Sequence, residues 1–489
     1  MENLPELGIG IVYFPGFEEL LEKHSKLIQA IEIEPQTLWY ESNNGNKYNF
    51  NTPQNKLLKS YPIPKVFHGV GSPVGGTALP SKKTFSSLNQ HIKELKPLWL
   101  SEHLSFNSFA DNNNNINTNF LLPQVQNKIG VETAVRGIRN YKEKINLPFA
   151  FETGVNYMKP RRDEIPDGYF AAEISERADC NILLDLHNLL VNQKNGRQSA
   201  MEFCKQLPLD RVIEIHLARG FYFKKYYLDA HSGISSKELF DLTSRVVQML
   251  PNLKLIMFEM RPEYIEKLSK NDYKFQLDEM QRVWDSRGKK IRAGKPGKRI
   301  FKKLSKNSID AKEWEYTLGK LVLCQDLKLS RLSEEISSDK GIKVINEIIF
   351  NFRASAVVST LKMSSRLMRM TLGDKKFRRI LEDFFIVSNP ELFPFKTALK
   401  FSGFVNTLHL DILYLDKVME FEVATLKTLH DSKARNVRFN FNPFPVFREL
   451  INSKLPQRQE FSFNFLLKIK PDKNITDSEF LKLESIFHD

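Results

Sequence analysis

The chain has 489 residues, 41% hydrophobic and 27% charged, a composition ordinary for a globular protein and a length that calls for more than one domain. It carries 72 Lys and Arg against 58 Asp and Glu, a net charge of +14. No run of about 18 apolar residues could span a bilayer, and the N-terminus lacks the basic region of a secretory signal. Three cysteines, Cys180, Cys204 and Cys324, without CxxC spacing argue against a disulfide framework or a thiolate zinc site, so a cytoplasmic location and nitrogen or oxygen metal donors are expected.

In chain order, short apolar runs predict eight strands: GIGIVY at 8–13, AIEIE at 30–34, KVFHGV at 65–70, LWLSEHL at 98–104, FAFET at 149–153, NILLDLH at 181–187, VIEIHLA at 212–218 and KLIMFEM at 254–260. Helix-like segments separate them, among them FEELLEKHSKLIQAI, TFSSLNQHIKELK and SKELFDLTSRVVQML. Eight strand-helix alternations in about 260 residues predict an α/β fold, a (β/α)8 TIM-type barrel, with a doubly wound sheet as the rival. The Asn-rich stretch NSFADNNNNINTNF at 107–120 reads as a loop after the fourth strand, a flexible insertion or a lid over the barrel mouth.

From Arg287 to Lys306 there are ten basic residues and no acidic one. This reads as a solvated linker, with a groove for an acidic peptide or nucleic acid as the alternative. Beyond it, long helix-like segments such as EWEYTLGKLVLCQDLKLSRLSEEI, DKKFRRILEDFFIV and LYLDKVMEFEVATLKTLH predict a mostly helical C-terminal domain. VRFNFNPFPVF and EFSFNFLLKIKP look extended and predict a small terminal sheet. The expected domains are 1–285 (barrel), 286–309 (basic linker) and 310–489 (helical).

The chemistry lies in where the imidazoles and carboxylates fall. His68, His103, Glu152, Asp185, Asn188, His216, Asp229, His231 and Glu259 sit at, or just beyond, the C-terminal ends of predicted strands, where a barrel gathers its active site. Singly, each strand-end His reads as readily as a hydrogen-bonded core residue. Jointly, so many buried charges are costly unless paired or bound to metal, and about nine potential donors exceed what one ion can use. Strand alternation favours His103 over Glu102 as the inward residue and puts Glu214 on the face of His216. Glu32 and Glu34 share a face at the second strand and are expected to support metal, substrate or water from outside the ligand set. His24 and His91, in helix-like stretches, read as surface residues.

In this order the motifs HGVG, SEHLSF, FET, LLDLHN, EIHLA, DAH and FEM, over roughly residues 7 to 262, resemble the multinuclear non-heme iron-dependent oxidative enzymes typified by MbnB. The resemblance implies a barrel holding two or three irons in mixed Fe2+/Fe3+ states, with those nine residues as ligands. It also implies O2 as co-substrate and a cysteine-containing, ribosomally made precursor peptide as the target. Two departures stand out. Many members read Asp-x-Asn-Asn where this chain has Asp185, Leu186, His187 and Asn188. Many read His-Leu-Ala-Gly-His where it has His216, Leu217, Ala218, Arg219 and Gly220, so His187 and Arg219 are candidate supporting or substrate residues. The C-terminal half resembles the small MbnC-like partner proteins, through Gly373, Phe377, Tyr414, Leu415 and Glu422, and so implies a partner domain fused in cis. Rival readings are a divalent-metal sugar isomerase or phosphodiesterase on the same barrel, and a non-catalytic binding protein using the basic linker; membrane and nucleic-acid partners are not expected.

Overall fold

The computed structural model of the chain describes residues 4–41, 45, 47–112, 114–287, 308–459 and 464–471; apart from Arg287, the basic segment lies outside these residues. Eight strands, β1 (Gly8–Tyr13), β2 (Ala30–Ile33), β3 (Lys65–Gly69), β4 (Leu100–His103), β5 (Phe149–Glu152), β6 (Asn181–Asp185), β7 (Val212–Leu217) and β8 (Leu255–Phe258), close into one barrel. Every neighbouring pair is parallel, and β8 returns to pair with β1. This is the (β/α)8 barrel expected from the alternation of runs.

Period-2 alternation sorts each strand onto two faces. Ile31, Phe67, Leu100, Phe149, Ile182, Ile215 and Ile256 join the large core between barrel and helices. A separate apolar cluster that includes Ala30, Val66, Trp99, Ala150, Leu183, Leu255 and Met257 fills the interior. Two residues beyond most of these, on the same strand face, come the polar side chains: Glu32 after Ala30, His68 after Val66, Ser101 after Trp99, Glu152 after Ala150, Asp185 after Leu183 and Glu259 after Met257. The interior is thus layered, with an apolar plug below and a ring of ionisable groups above.

Several local expectations change. The helix of 17–31 shortens to Glu18–Lys23. The Asn-rich stretch forms an antiparallel hairpin, Phe106–Asp111 with Asn114–Leu122. Asn112 adopts a positive φ of 53° at its turn, and Ile116, Thr118 and Leu122 are buried in alternation, so the asparagines mark a turn and an exposed face. The segment around 313–336 divides into two helices, Ala311–Val322 and Arg331–Ser338. VRFNFNPFPVF is extended only at its start. After the strand Arg435–Phe439, Asn442 accepts a hydrogen bond from the Phe444 amide, Pro443 stands at the first helical position, and a helix runs over Pro443–Ile451.

The chain divides into two compact units. The first holds the barrel and extends to Ile345, so the helix Ala311–Val322 belongs with it. That helix is keyed in by Trp314, whose indole donates to the Pro123 carbonyl at 2.8 Å. Buried Glu315 accepts from the Thr77 amide at 2.7 Å and from the Thr77 hydroxyl. Thr77 lies in the loop following His68, whose residues Val74 and Gly75 bond the carbonyls of His103 and Ser105.

Among the described residues the second unit packs the later part of the helix Lys340–Thr360 and the helices Lys362–Leu372, Asp374–Val387, Pro394–Thr407, Leu415–Asp431 and Pro443–Ile451 against an antiparallel pair, Arg435–Phe439 with Phe465–Ile469. Phe421, Phe439, Phe441 and Phe447 form much of its core. Buried Glu422 accepts from the Met363 and Ser364 amides at 2.7 and 2.9 Å and from the Ser364 hydroxyl at 2.6 Å, doing the work of a cap for the helix that begins there. Burial raises the Glu422 carboxyl to about 7, against those hydrogen bonds. Its contribution is therefore complete below its ordinary value of 4.5 and lost as pH rises through about 7. Unfolding free energies measured between about pH 4.5 and pH 8 should fall by an amount on the order of 3 kcal/mol in the wild type, and that slope should flatten in Glu422→Gln. Among the described residues no single helix is long and apolar enough to cross a membrane.

Candidate metal centre

The strand ends bring the predicted residues to one mouth. Glu152, at the end of β5, places Oε2 at 3.2 Å from His68 Nε2 and 2.7 Å from His103 Nε2, joining β3, β4 and β5. The other ring nitrogens are already committed. His103 Nδ1 lies 3.0 Å from the Gly69 carbonyl, which can only accept. His68 Nδ1 lies 2.8 Å from Ser101 Oγ, whose hydroxyl donates to the Phe67 carbonyl at 3.2 Å. Both imidazoles are thereby held with the proton on Nδ1 and the Nε2 lone pair turned to Glu152. Lone pairs facing one carboxylate oxygen call for positive charge between them, supplied by a metal ion or by a proton on Nε2.

His216 on β7 is the second node. Its Nε2 stands 3.2 Å from Glu32 Oε2 and its Nδ1 3.2 Å from Glu259 Oε1. Below it, Glu214 accepts from the Trp99 indole at 2.8 Å. A third node lies on the loop after β7, where His231 Nε2 is 2.9 Å from Asp229 Oδ1 and 3.5 Å from Glu259 Oε2. The Asp229 amide is anchored by the Tyr157 hydroxyl at 3.0 Å.

Asp185 ends β6 and caps the helix Leu186–Lys194, accepting from the Asn188 amide at 2.8 Å. The extended reading of LLDLH therefore stops at Asp185, and His187 and Asn188 stand on the first turn of a helix. Asn188 donates to Glu152 Oε1 at 3.1 Å, and His187 Nε2 is 3.4 Å from Asp229 Oδ1. Glu34, just past β2, responds to His68, Glu259, His103 and His231, and burial raises its carboxyl to about 7. Arg219 is exposed at the rim, with a guanidinium bond to the Ile234 carbonyl. His91 is fully buried, bonding Asn55 and Trp39, and is a core residue rather than a surface one.

The electrostatics point one way. Burial works against charge throughout, yet His103 is driven well above the ordinary imidazole value by Glu152 and Glu102, and His231 to about 10 by Asp229 and Glu259. Glu259, despite burial, is brought down to about 2 by His216 and His231, while burial lifts Glu32 to about 7. Such a pocket demands positive charge, from protons or from metal ions. Three groups place their donor atoms within 4.8 Å of one another and could hold an ion: His68, His103 and Glu152; Glu32, His216 and Glu259; Glu152, Asp185 and His216. The donor set fits a metal by a second criterion as well. Asp185 Oδ2 and Asn188 Oδ1 are buried without a hydrogen-bond partner, an expensive arrangement unless an ion receives them.

Ser101 and Tyr157, which hold the His68 ring and the Asp229 amide, lie outside the sequence reading. Ser101 was accessible to it, since it lies two residues before His103 on the same face. Ser101→Ala should free the His68 ring and weaken metal binding by roughly 10- to 100-fold with the fold intact, measured by competition with a chromophoric chelator.

Among the described residues, three overlapping donor groups at the C-terminal mouth give a barrel that could hold more than one metal ion. Residues 8–269 match the family model described as RiPP precursor modification enzyme MbnB/TglH/ChrH, and the chain belongs to that family. A UPF0276 protein of Anaeromyxobacter sp. (strain Fw109-5) is 26% identical over 234 residues, 47% of this chain and 80% of that protein. Another, of Vibrio vulnificus (strain CMCP6), is 29% identical over 243 residues, 49% of this chain and 79% of that protein. Among solved structures, D-psicose 3-epimerase from Clostridium cellulolyticum H10 is similar over 57% of this chain and 97% of that one, at 14% identity and a TM-score of 0.36. Family and donor groups together support a metal-dependent enzyme that modifies peptide precursors.

Proposed function

We propose that the chain oxidises cysteine residues of a ribosomally synthesised precursor peptide, using O2 and two or three iron ions in mixed Fe2+/Fe3+ states. In this reading His68, His103, Glu152, Asp185, Asn188, His216, Asp229, His231 and Glu259 hold the metal, and Glu32, Glu34, His187 and Arg219 support it or meet the substrate. The domain reading extends to 1–285 as catalytic barrel, 286–309 as linker and 310–489 as an MbnC-like domain fused in cis that recruits the peptide. Bound iron would supply thiolate binding and one-electron chemistry with O2, which no side chain in the pocket offers.

The observation that carries the reading is Glu152, whose Oε2 faces two imidazole lone pairs and which shares a second donor group with Asp185 and His216. The protein's own part is geometric. Gly69 and Ser101 fix the ring tautomers, Asn188 holds the outer oxygen of Glu152, and the apolar plug beneath keeps water from the lower barrel. A bound cysteine would give up its proton at a loaded site, and Glu34, just past β2 and outside the ligand set, is a carboxylate that could receive it.

Metal analysis of protein purified from iron-fed cells tests the reading. At least two irons per chain, and loss of O2-dependent cysteine oxidation in a His216→Ala, Asp229→Ala double variant, are expected. Stoichiometric zinc without iron, or full activity of that variant, would overturn it.

A further inference from the structure

Between His216 and Asp229 the chain leaves the barrel and returns as a small antiparallel hairpin, Phe221–Phe223 with Tyr226–Leu228. Both of its ends therefore lead directly into the metal-facing residues. Its base is held firmly. The Asn195 side chain donates to the Tyr227 carbonyl at 2.8 Å and accepts from the Tyr227 amide at 3.0 Å. A Cβ on Gly220 would stand 2.1 Å from the Leu228 carbonyl oxygen, so the strands approach as closely there as glycine allows. Tyr227 is buried, with its ring centroid 6.1 Å from that of His187.

The outer surface has a different character. Tyr222 is the most exposed aromatic side chain among the described residues, at 61%, and Phe221 beside it is 43% exposed. Lys224 and Lys225 form the turn, both exposed. Lys224 has a φ of 54°, a conformation for which glycine or asparagine is the ordinary choice. From Ile215 to Leu228 the sequence holds three basic residues, Arg219, Lys224 and Lys225, and no acidic one. A rigid, aromatic and cationic projection beside a buried, ligand-rich pocket has the composition of a recognition element for an extended anionic chain.

We propose that this hairpin selects the substrate by binding an acidic segment of the peptide next to the residue to be modified. The carboxylates of that segment meet Lys224, Lys225 and Arg219, and its backbone lies along the face that carries Tyr222. This assignment rests on the peptide-modifying reading above, and it adds the chemical class of the flanking sequence.

The test uses the full metal-loaded chain and three fluorescent cysteine-containing peptides, identical except for Asp/Glu, Gln or Lys flanks. The acidic peptide should bind tightest, and its dissociation constant should rise about tenfold or more between about 50 and about 500 mM salt. Lys224→Glu with Lys225→Glu should weaken it by a similar factor and shift preference toward the Lys-flanked peptide, and Tyr222→Ala should weaken all three. Metal content and melting temperature should stay unchanged in these variants. Equal affinity for acidic and neutral peptides, an unaltered preference after charge reversal, or a single-stranded oligonucleotide that outcompetes the acidic peptide overturns the proposal. A preparation that binds the acidic peptide as described but contains no iron and oxidises no cysteine refutes the oxidative reading and leaves the hairpin assignment standing.

Discussion

Glu152→Ala is expected to strip the barrel mouth of more than half its metal and to cut peptide oxidation by at least about 100-fold. The expectation follows from the position of this one carboxylate, which belongs to two of the three donor groups and lies within 3.2 Å of two imidazole nitrogens. Its other oxygen accepts from Asn188, so its loss also frees the first turn of the helix after β6. Without it His68 and His103 no longer face an anion, and their affinity for a cation falls with the lost charge. Metal per chain and thermal unfolding should be measured on Glu152→Ala and Glu152→Gln side by side. Full metal content in a folded Glu152→Ala protein would exclude this residue from the ligand set.

Removing metal with a chelator should lower the unfolding temperature of the barrel by an amount on the order of 10 °C. An ion present at about a thousand times its dissociation constant stabilises the folded state by about 4 kcal/mol, and each kcal/mol moves the transition of a domain this large by a few degrees. The buried atoms without hydrogen-bond partners supply the physical reason, because removing the ion leaves Asp185 Oδ2 and Asn188 Oδ1 desolvated and unpaired. The effect should shrink as pH falls, since metal binding displaces protons and the imidazoles beside Glu152 and Asp229 take them up again. Scanning calorimetry with and without chelator at two pH values measures it. An unchanged transition in protein shown to be metal-free would mean that the cluster is satisfied by its own ion pairs.

How far the site could be read in advance differs from residue to residue. His68, Glu152 and Glu259 follow from alternation alone, since a polar residue two places beyond a buried apolar one on a strand shares its face, and His216 follows from sharing the inward face of Glu214. His187 does not, because the same run of letters serves as strand up to Asp185 and as helix after it, and the change is decided by the Asp185 cap. His91 was misplaced for a related reason. Helical periodicity shows which residues share a face, but not that this face meets Trp39 and Asn55. The Asn-rich hairpin was missed because composition speaks to turns more strongly than to strand pairing.

By itself, the sequence determined the eight-strand rhythm, the barrel it implies and the ring of donors at one end, because these depend on local side-chain alternation and on a closure common to all such sheets. Tertiary structure alone decided which nitrogen of each imidazole faces the pocket and which carboxylate it meets. It also decided that Glu315, from beyond the basic segment, braces the loop after His68. Those contacts join residues tens to hundreds of positions apart, and their geometry exists only once the barrel has closed and the buried groups have competed for the same few partners.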